Sequence, residues 1–342
     1  MQPPKYFLAI QQKATSRWDQ LDADPDLAGP WHHLFRQVAQ SPRNVLSELL
    51  QNADDADATE ASVDIIDGEF IFSHNGIDFN SEQFQSLCRF GFSNKRALHT
   101  IGFRGIGFKS TFSLGDQVRL FTPTLAVAFN AGRFTQPIWL ANVASESGLT
   151  EVRIKIIDER RARELEKNIK EWISNPTSLL FFRRLRSLRV REQVIRWVNS
   201  RPGPCVNSHW VSLSTAPDKE YLHIISQDEQ FPEEALTEIK QECPNLEKET
   251  TFPPCKVEIV LGVSGRLYVV LPTGVKTSLP FACNAPFVQD PARLKIKESE
   301  LSPTNRWLLA RVGKLAGDSL IQWLNSGTLP AAEKCQAYDL WP

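Results

Sequence analysis

An α+β protein is what this sequence predicts, with a two-layer α/β sandwich in its first part and a second, smaller α/β domain behind it. Helical periodicity fills most of the first fifty-odd residues and returns over 158–173 and about 304–324. Runs of strand-like alternation occupy the stretches between. The two kinds of segment follow one another without strict βαβ regularity, which separates this chain from a doubly wound parallel sheet. At 342 residues the chain can bury two cores. The turn Asn175-Pro176 is the expected boundary, giving domains 1–175 and 176–342.

Tyr6 to Leu21 reads as a helix, and Pro30 to Ala39 as a second, with proline tolerated in the first turn. Ser41-Pro42 opens a third, with serine as N-cap and proline at N1. Glu60–Ile66 and Glu69–Ser73 flank Asp67-Gly68, a dipeptide that marks a tight hairpin between alternating segments. A short helix is expected over 81–87, a glycine-rich loop over 88–107, a helix start over 108–114, three strands over 116–139 and a strand over 148–157. Asp158 to Ile173 is a charged amphipathic helix. In the second domain, strands are expected over 186–198, 208–215, 220–226, 255–262 and 265–271, with an acidic loop and helix over 227–249. A long amphipathic helix at about 304–324 closes the chain.

Hydrophobic content of 42% and charged content of 23% belong to an ordinary globular protein and exclude a disordered chain. A formal net charge of -1 gives no global attraction to nucleic acid or anionic lipid. The start, Met1-Gln-Pro-Pro-Lys-Tyr-Phe, lacks the apolar core of a secretion signal, and no apolar run approaches the ~20 residues needed to cross a bilayer. The six cysteines are scattered, without a C-x-x-C pair or a histidine at zinc spacing. Reduced thiols in a cytoplasmic protein, away from membranes, are the expectation.

The helix after Ser41-Pro42 carries the first chemical signal. Leu46, Leu49, Leu50 and Ala53 share one face, and Glu48, Asn52 and Asp55, spaced i, i+4, i+7, fall almost opposite. A surface helix with its polar side in water is the plainest alternative. Against it, Asp54, Asp55 and Asp57 crowd the C-terminal end, where the helix dipole disfavours negative charge, and Asn52 is a mediocre interior helix former. A bound cation would relieve both. Magnesium takes oxygen ligands and often only one or two from protein, so Asn52 is the candidate metal ligand and Glu48 the candidate general base beside a terminal phosphate. Gly102, Gly105 and Gly107 then punctuate a loop leading into Phe108-Lys-Ser-Thr-Phe112, as close backbone approach to phosphate requires. The spacing is neither that of a P-loop nor the dinucleotide fingerprint.

Asn44-Val-Leu-Ser-Glu48-Leu-Leu-Gln-Asn52-Ala-Asp-Asp55-Ala and Ile101-Gly-Phe-Arg-Gly-Ile-Gly-Phe108 resemble the first and third boxes of the GHKL superfamily of ATPases, which includes Hsp90, MutL, DNA gyrase B and the MORC proteins; sacsin-type Hsp90-like modules are the nearest in kind. The resemblance implies a Bergerat-type ATP-binding fold, with ATP and Mg2+ as ligands, Glu48 as catalytic base, Asn52 on magnesium and Asp55 lining the pocket. It places Gly102, Phe103, Arg104, Gly105, Ile106, Gly107 and Phe108 around the phosphates, with Lys109 and Lys95 as lid positions reaching them. Gly148-Leu-Thr150 resembles the last box, whose threonine helps close the adenine end. The second box departs from Asp-x-Gly-x-Gly: Ser73-His74-Asn75-Gly76-Ile77-Asp78 aligns by Gly76 and puts His74 where the family's aspartate accepts from the adenine amino group. Neutral imidazole can accept one hydrogen bond and imidazolium none, so binding is expected to weaken below about pH 6.5. Asn75 offers a further acceptor.

A weaker resemblance to the segment that follows sacsin-type ATPase domains spans Leu267–Pro272, Leu279–Asn284, Phe287, Arg293 and Asn305–Leu309, and makes Arg293 the candidate for reaching the terminal phosphate, with Lys295 as substitute. The function implied is slow Mg-dependent ATP hydrolysis that drives closure of a lid over 88–109. Two alternatives stand beside it. One is a nucleotide-gated interaction module with negligible turnover. The other is nucleic-acid binding through Arg183, Arg184, Arg186, Arg189, Arg191, Arg196 and Arg201, a run that more often forms a solvated face, balanced here by the acidic segment 227–249. Partners beyond ATP, whether a protein client, further domains or a second copy, are not specified by these residues.

Overall fold

The computed structural model describes residues 2–89, 107–141, 148–242, 252–289 and 295–341. The chain divides into two compact units, the first made of Met1–Lys95, Gly102–Asn175 and Arg183–Val194, the second of Arg96–Ile101, Pro176–Phe182 and Ile195–Pro342. Both mix helices and sheet, as α+β requires.

The first unit opens with helices α1 (Lys5–Ala23), α2 (Pro25–Val38) and α3 (Val45–Asp55). Asp24 caps α2 by accepting the Asp26 N–H at 3.1 Å, and Pro25 fills N1. This cap starts the helix ahead of the expected Pro30, which lies inside it. Strands β1 (Glu60–Ile66) and β2 (Glu69–His74) form the expected hairpin, with Asp67 and Gly68 at φ 51° and 71°, the left-handed pair that a tight two-residue turn demands. Helix α4 (Ser81–Leu87), a 3₁₀ segment at Gly107–Ser113, strands β3 (Gln117–Phe121), β4 (Ala126–Asn130), β5 (Ile138–Trp139) and β6 (Thr150–Lys155), helix α5 (Glu159–Ser174) and strand β7 (Ser187–Val190) complete it. The sheet order is β7-β1-β2-β6-β3-β4-β5. Only the β7–β1 pairing is parallel among the described ladders of this sheet.

Register explains where the core lies. Val63, Phe72, Val152, Leu120 and Val127 stand opposite one another across successive strands, and Phe70, Ile154, Val118 and Phe129 form the neighbouring row. All are buried. Directly opposed residues project to the same face, so these rows are one continuous apolar layer. The next row is polar: His74 faces Thr150, beside Ala61. A buried apolar face thus ends on an imidazole and a hydroxyl.

The second unit holds helix α6 (Ser178–Phe181), strands β8 (Gln193–Pro202), β9 (Ser208–Leu213) and β10 (Ala216–Ile225), helix α7 (Glu233–Glu242), strands β11 (Glu258–Leu261), β12 (Arg266–Val269), β13 (Leu271–Lys276) and β14 (Phe281–Asn284), then helices α8 (Pro303–Leu324) and α9 (Ala331–Cys335). The order is β13-β12-β14-β11-β10-β9-β8. Two of these strands escape the sequence reading. Pro272 and Gly274 disguise β13, which tolerates them at the sheet edge. β14 is buried throughout and shows no alternation. Among the described residues, no helix is long and apolar enough to cross a membrane.

Candidate functional site

Helix α3 organises the first unit. Val45, Leu46, Leu49, Leu50 and Ala53 are buried, as its apolar face predicts. Its polar positions are not in water either: Glu48, Gln51 and Asp54 are only 7%, 2% and 7% exposed, and Asn52 and Asp55 are half-buried. A surface helix is therefore excluded. Protein groups meet two of the three acidic residues at the C-terminal end, Asp54 and Asp57. Asp54 accepts the backbone N–H groups of Arg183 (3.0 Å), Arg184 (2.7 Å) and Leu185 (2.9 Å). Asp57 pairs with the guanidinium groups of Arg183 and Arg184 at 2.9 and 3.4 Å. The helix ends in a Schellman arrangement, Ala58 N–H to Ala53 O with Asp57 at φ 57°.

Two glycines meet α3 at opposite ends. A Cβ on Gly107 would stand 2.0 Å from Glu48 Oε2, so the last glycine of the Ile101–Phe108 motif lies directly on that carboxylate. Any other residue would displace one or the other. At the far end, a Cβ on Gly76 would come within 2.7 Å of the Ala56 carbonyl oxygen and 2.9 Å of His74 Nδ1. The Ile77 N–H also donates to Ala56 O at 2.8 Å. Sequence segments far apart in the chain thus converge on one helix, and Thr150 joins them through its register with His74.

His74 is 8% exposed, and burial pushes its pKa from 6.5 down to about 4. The ring is neutral at physiological pH. Its Nδ1 accepts the Gly76 N–H at 3.1 Å, which leaves the proton on Nε2. The pH dependence expected near 6.5 moves down accordingly, and the acceptor role expected of this side chain is already taken. Asn75 is likewise committed: its Oδ1 accepts from Thr59 N–H and Glu60 N–H at 2.9 and 3.0 Å, and its Nδ2 donates to Thr59 Oγ1. Both lone pairs of that oxygen serve the entry to β1, against the expectation of a spare acceptor. Asp78 accepts from Thr124 N–H and Oγ1, tying the β2 exit to the β3–β4 turn. Thr150 is 3% exposed, and its Oγ1 has no hydrogen-bond partner among the described residues.

Lys109, expected to reach the phosphates, has its ammonium engaged inside the protein. It is 1% exposed, donates from Nζ to the Leu87 carbonyl at 2.7 Å, and lies over the Phe108 and Phe129 rings. Burial lowers its pKa to about 8. Arg17 reaches the adjacent Cys88 carbonyl at 3.3 Å, so two cations close the C-terminal end of α4. Lys95, Gly102, Phe103, Arg104, Gly105, Ile106 and Arg293 lie outside the described residues.

Five arginines of the run have ion-pair partners among the described residues that lie outside the acidic segment 227–249. Arg183 and Arg184 pair with Asp57, Arg189 with Asp64, Arg191 with Glu166 and Arg201 with Glu220. Sequence reading missed Asp54 as an anchor, because its partners lie about 130 residues away and are backbone groups that carry no side-chain signature. Gln51, Ser110 and Ser113 also went unnoticed; each buries a side-chain oxygen without a partner among the described residues.

No protein-family model matches the chain. A DNA mismatch repair protein MutL from Chlorobium chlorochromatii (strain CaD3) is 42% identical over an alignment of 107 residues that covers 27% of this chain and 16% of that protein. The chain therefore matches only a small part of that relative's length. MutL is a member of the GHKL superfamily, and the likeness supports that superfamily for this chain.

Proposed function

We propose that this chain is a GHKL-type ATPase whose first unit binds ATP with magnesium and hydrolyses it slowly, in the manner of Hsp90-like and sacsin-like modules. The observation that carries this reading is the contact between Gly107 and the Glu48 carboxylate, which joins the two motifs most specific to such enzymes on one buried helix. The partial MutL likeness supports ATP binding at the superfamily level.

The donor set fits the ligands. Asn52 offers a neutral amide oxygen one helical turn from Glu48, suited to a hard cation that takes most of its shell from phosphate and water. When bound, magnesium supplies charge neutralisation across the phosphates. The chain's own contributions follow from position. Glu48, held by α3 and bounded by Gly107, accepts a proton from the attacking water. A side chain at position 107 would collide with the Glu48 carboxylate, so glycine lets the two motifs approach closely. His74 and Thr150 terminate the pocket at the β2–β6 end. A lid formed by the Gly102–Gly107 motif, and Arg293 as the residue reaching the terminal phosphate, belong to this reading on the strength of sequence resemblance. So does the division into an ATP-binding part, 1–175, and a transducer-like part, 176–342.

One observation favours the second reading, a nucleotide-gated module with negligible turnover: Lys109 is engaged by Leu87 and turned into the core. Phosphate release under single-turnover conditions, with protein in excess over Mg-ATP, separates the two. Release that exceeds the rate without protein and vanishes in Glu48→Ala supports hydrolysis. Binding with no release leaves the module reading in its place.

A further inference from the structure

The second unit contains a groove of about 500 Å³ between one face of α8 and the loop that leaves β10. That volume falls in the range of small-ligand sites. Along α8 the wall runs from Arg311 through Lys314, Leu315, Asp318 and Ser319 to Gln322, the spacing of a single helix face about 16 Å long. Both ends are tied. The Val206 N–H donates to Gln322 Oε1 at 3.2 Å, and Arg311 holds the loop 226–229 at the other end. Ile225 and Leu315, both half-buried, contribute apolar surface.

The charges decide what this groove can take. Arg311 is buried and its five N–H groups are all engaged. Nε pairs with Glu229 at 2.9 Å, Nη1 donates to Cys255 O and Sγ, and Nη2 donates to Ser226 Oγ and Gln227 O. No donor is left for an anion. Lys314 meets Asp318 in an exposed i, i+4 pair, a contact that water and salt weaken. Against these stand three exposed carboxylates, Asp228, Glu229 and Asp318. Lys256 lies 3.9 Å from Asp228, outside hydrogen-bond reach. Among the described residues no group of histidines, cysteines and carboxylates is placed to hold a metal ion. The cation that suits these acids is therefore organic.

We propose that this groove binds an alkylammonium group, with its stem against Ile225 and Leu315 and its head among the carboxylates of Asp228, Glu229 and Asp318. An ammonium head brings three donors, and its alkyl stem covers apolar surface while the charge stays in water. Lys314 is the groove's own competitor, because its ammonium already meets Asp318. Two sources offer this chemistry, a lysine side chain of a protein segment and a free linear diamine. The site stands apart from the nucleotide reading, since every residue it uses belongs to the second unit.

Ligand-detected NMR titration of the full chain tests the proposal. The probes are cadaverine and the capped peptide Ala-Lys-Ala, with the same peptide acetylated on Nε as control. At least one amine is expected to bind, and the acetylated peptide is expected not to. The double variant Asp228→Asn with Asp318→Asn should weaken binding at least about tenfold. Lys314→Gln, which removes the competitor, should strengthen it several-fold. Glu234→Gln, an exposed carboxylate outside the groove, should leave it unchanged, which separates the groove from general attraction by acidic surface. Tighter binding of the peptide than of cadaverine assigns a protein segment, and the reverse order assigns a free amine. Failure of both amines to bind, equal binding of the acetylated peptide, or binding unchanged in the double variant overturns the proposal. The wild-type comparison of amine with acetylated peptide decides the matter even where the double variant does not fold.

Discussion

Glu48 and Asp54 sit six residues apart on α3 with the same 7% exposure, yet they meet different kinds of neighbour. Asp54 is wrapped by the backbone N–H groups of Arg183, Arg184 and Leu185, a donor shell that holds the segment leading into β7. Glu48 lies against Gly107, where any side chain would collide with its carboxylate. Burial alone does not make a carboxylate functional. What distinguishes the two is the neighbour: Asp54 holds a backbone segment in place, and Glu48 meets the last glycine of the second motif.

The largest effect should come from Glu48. Its replacement by glutamine is expected to lower single-turnover phosphate release about 10²- to 10⁴-fold while Kd for Mg-nucleotide changes little. Asp54→Ala should behave in the contrary way: three N–H groups lose their acceptor, and denaturant unfolding is expected to report a loss of about 3 kcal/mol or more, with Kd near the wild-type value for whatever fraction folds. Were Asp54→Ala to abolish turnover in fully folded protein, the division between the two carboxylates would collapse. Gly107→Ala comes next. The added carbon must push the Glu48 carboxylate or the backbone aside, so turnover should fall by about 10²-fold with binding less affected. An unchanged rate would remove Gly107 from its positioning role.

The smallest effect concerns pH. His74 titrates near 4 when folded and near 6.5 when unfolded. As pH falls through that interval the unfolded chain takes up the proton first, so stability present above 6.5 is lost toward 4, by at most roughly 3 kcal/mol. His74→Asn should flatten the stability profile in that window. Nucleotide affinity should also stay level across pH 6.5, where an unburied histidine would produce a break.

Much of the fold was legible because local chemistry specified it. Asp67-Gly68 adopts the left-handed pair that its sequence implies, Ser41 accepts the Arg43 N–H before α3, and Asp158 caps α5 by accepting from Arg161. The convergence of Glu48 with Gly107 was legible as a motif and became a contact. Other parts were hidden, and for physical reasons. Lys109 looks like a phosphate ligand in sequence, but its destination depends on Leu87 O and two phenylalanine rings that only tertiary packing brings near. The acceptor capacity of Asn75 and His74 was withdrawn by backbone N–H groups, which sequence does not display. The arginines found partners on neighbouring strands and helices, where pairing follows sheet register and not distance along the chain.

The central claim is that α3 presents Glu48 and Asn52 to a magnesium-bound triphosphate. Titration calorimetry of the wild type and Asn52→Ala with ITP, GTP and ATP, each with magnesium and again with excess chelator, tests it most directly. The account predicts wild-type binding of at least one triphosphate that requires magnesium and weakens at least about tenfold in Asn52→Ala. Equal binding with and without magnesium, unchanged by that substitution, or no heat with any of the three nucleotides, would contradict it.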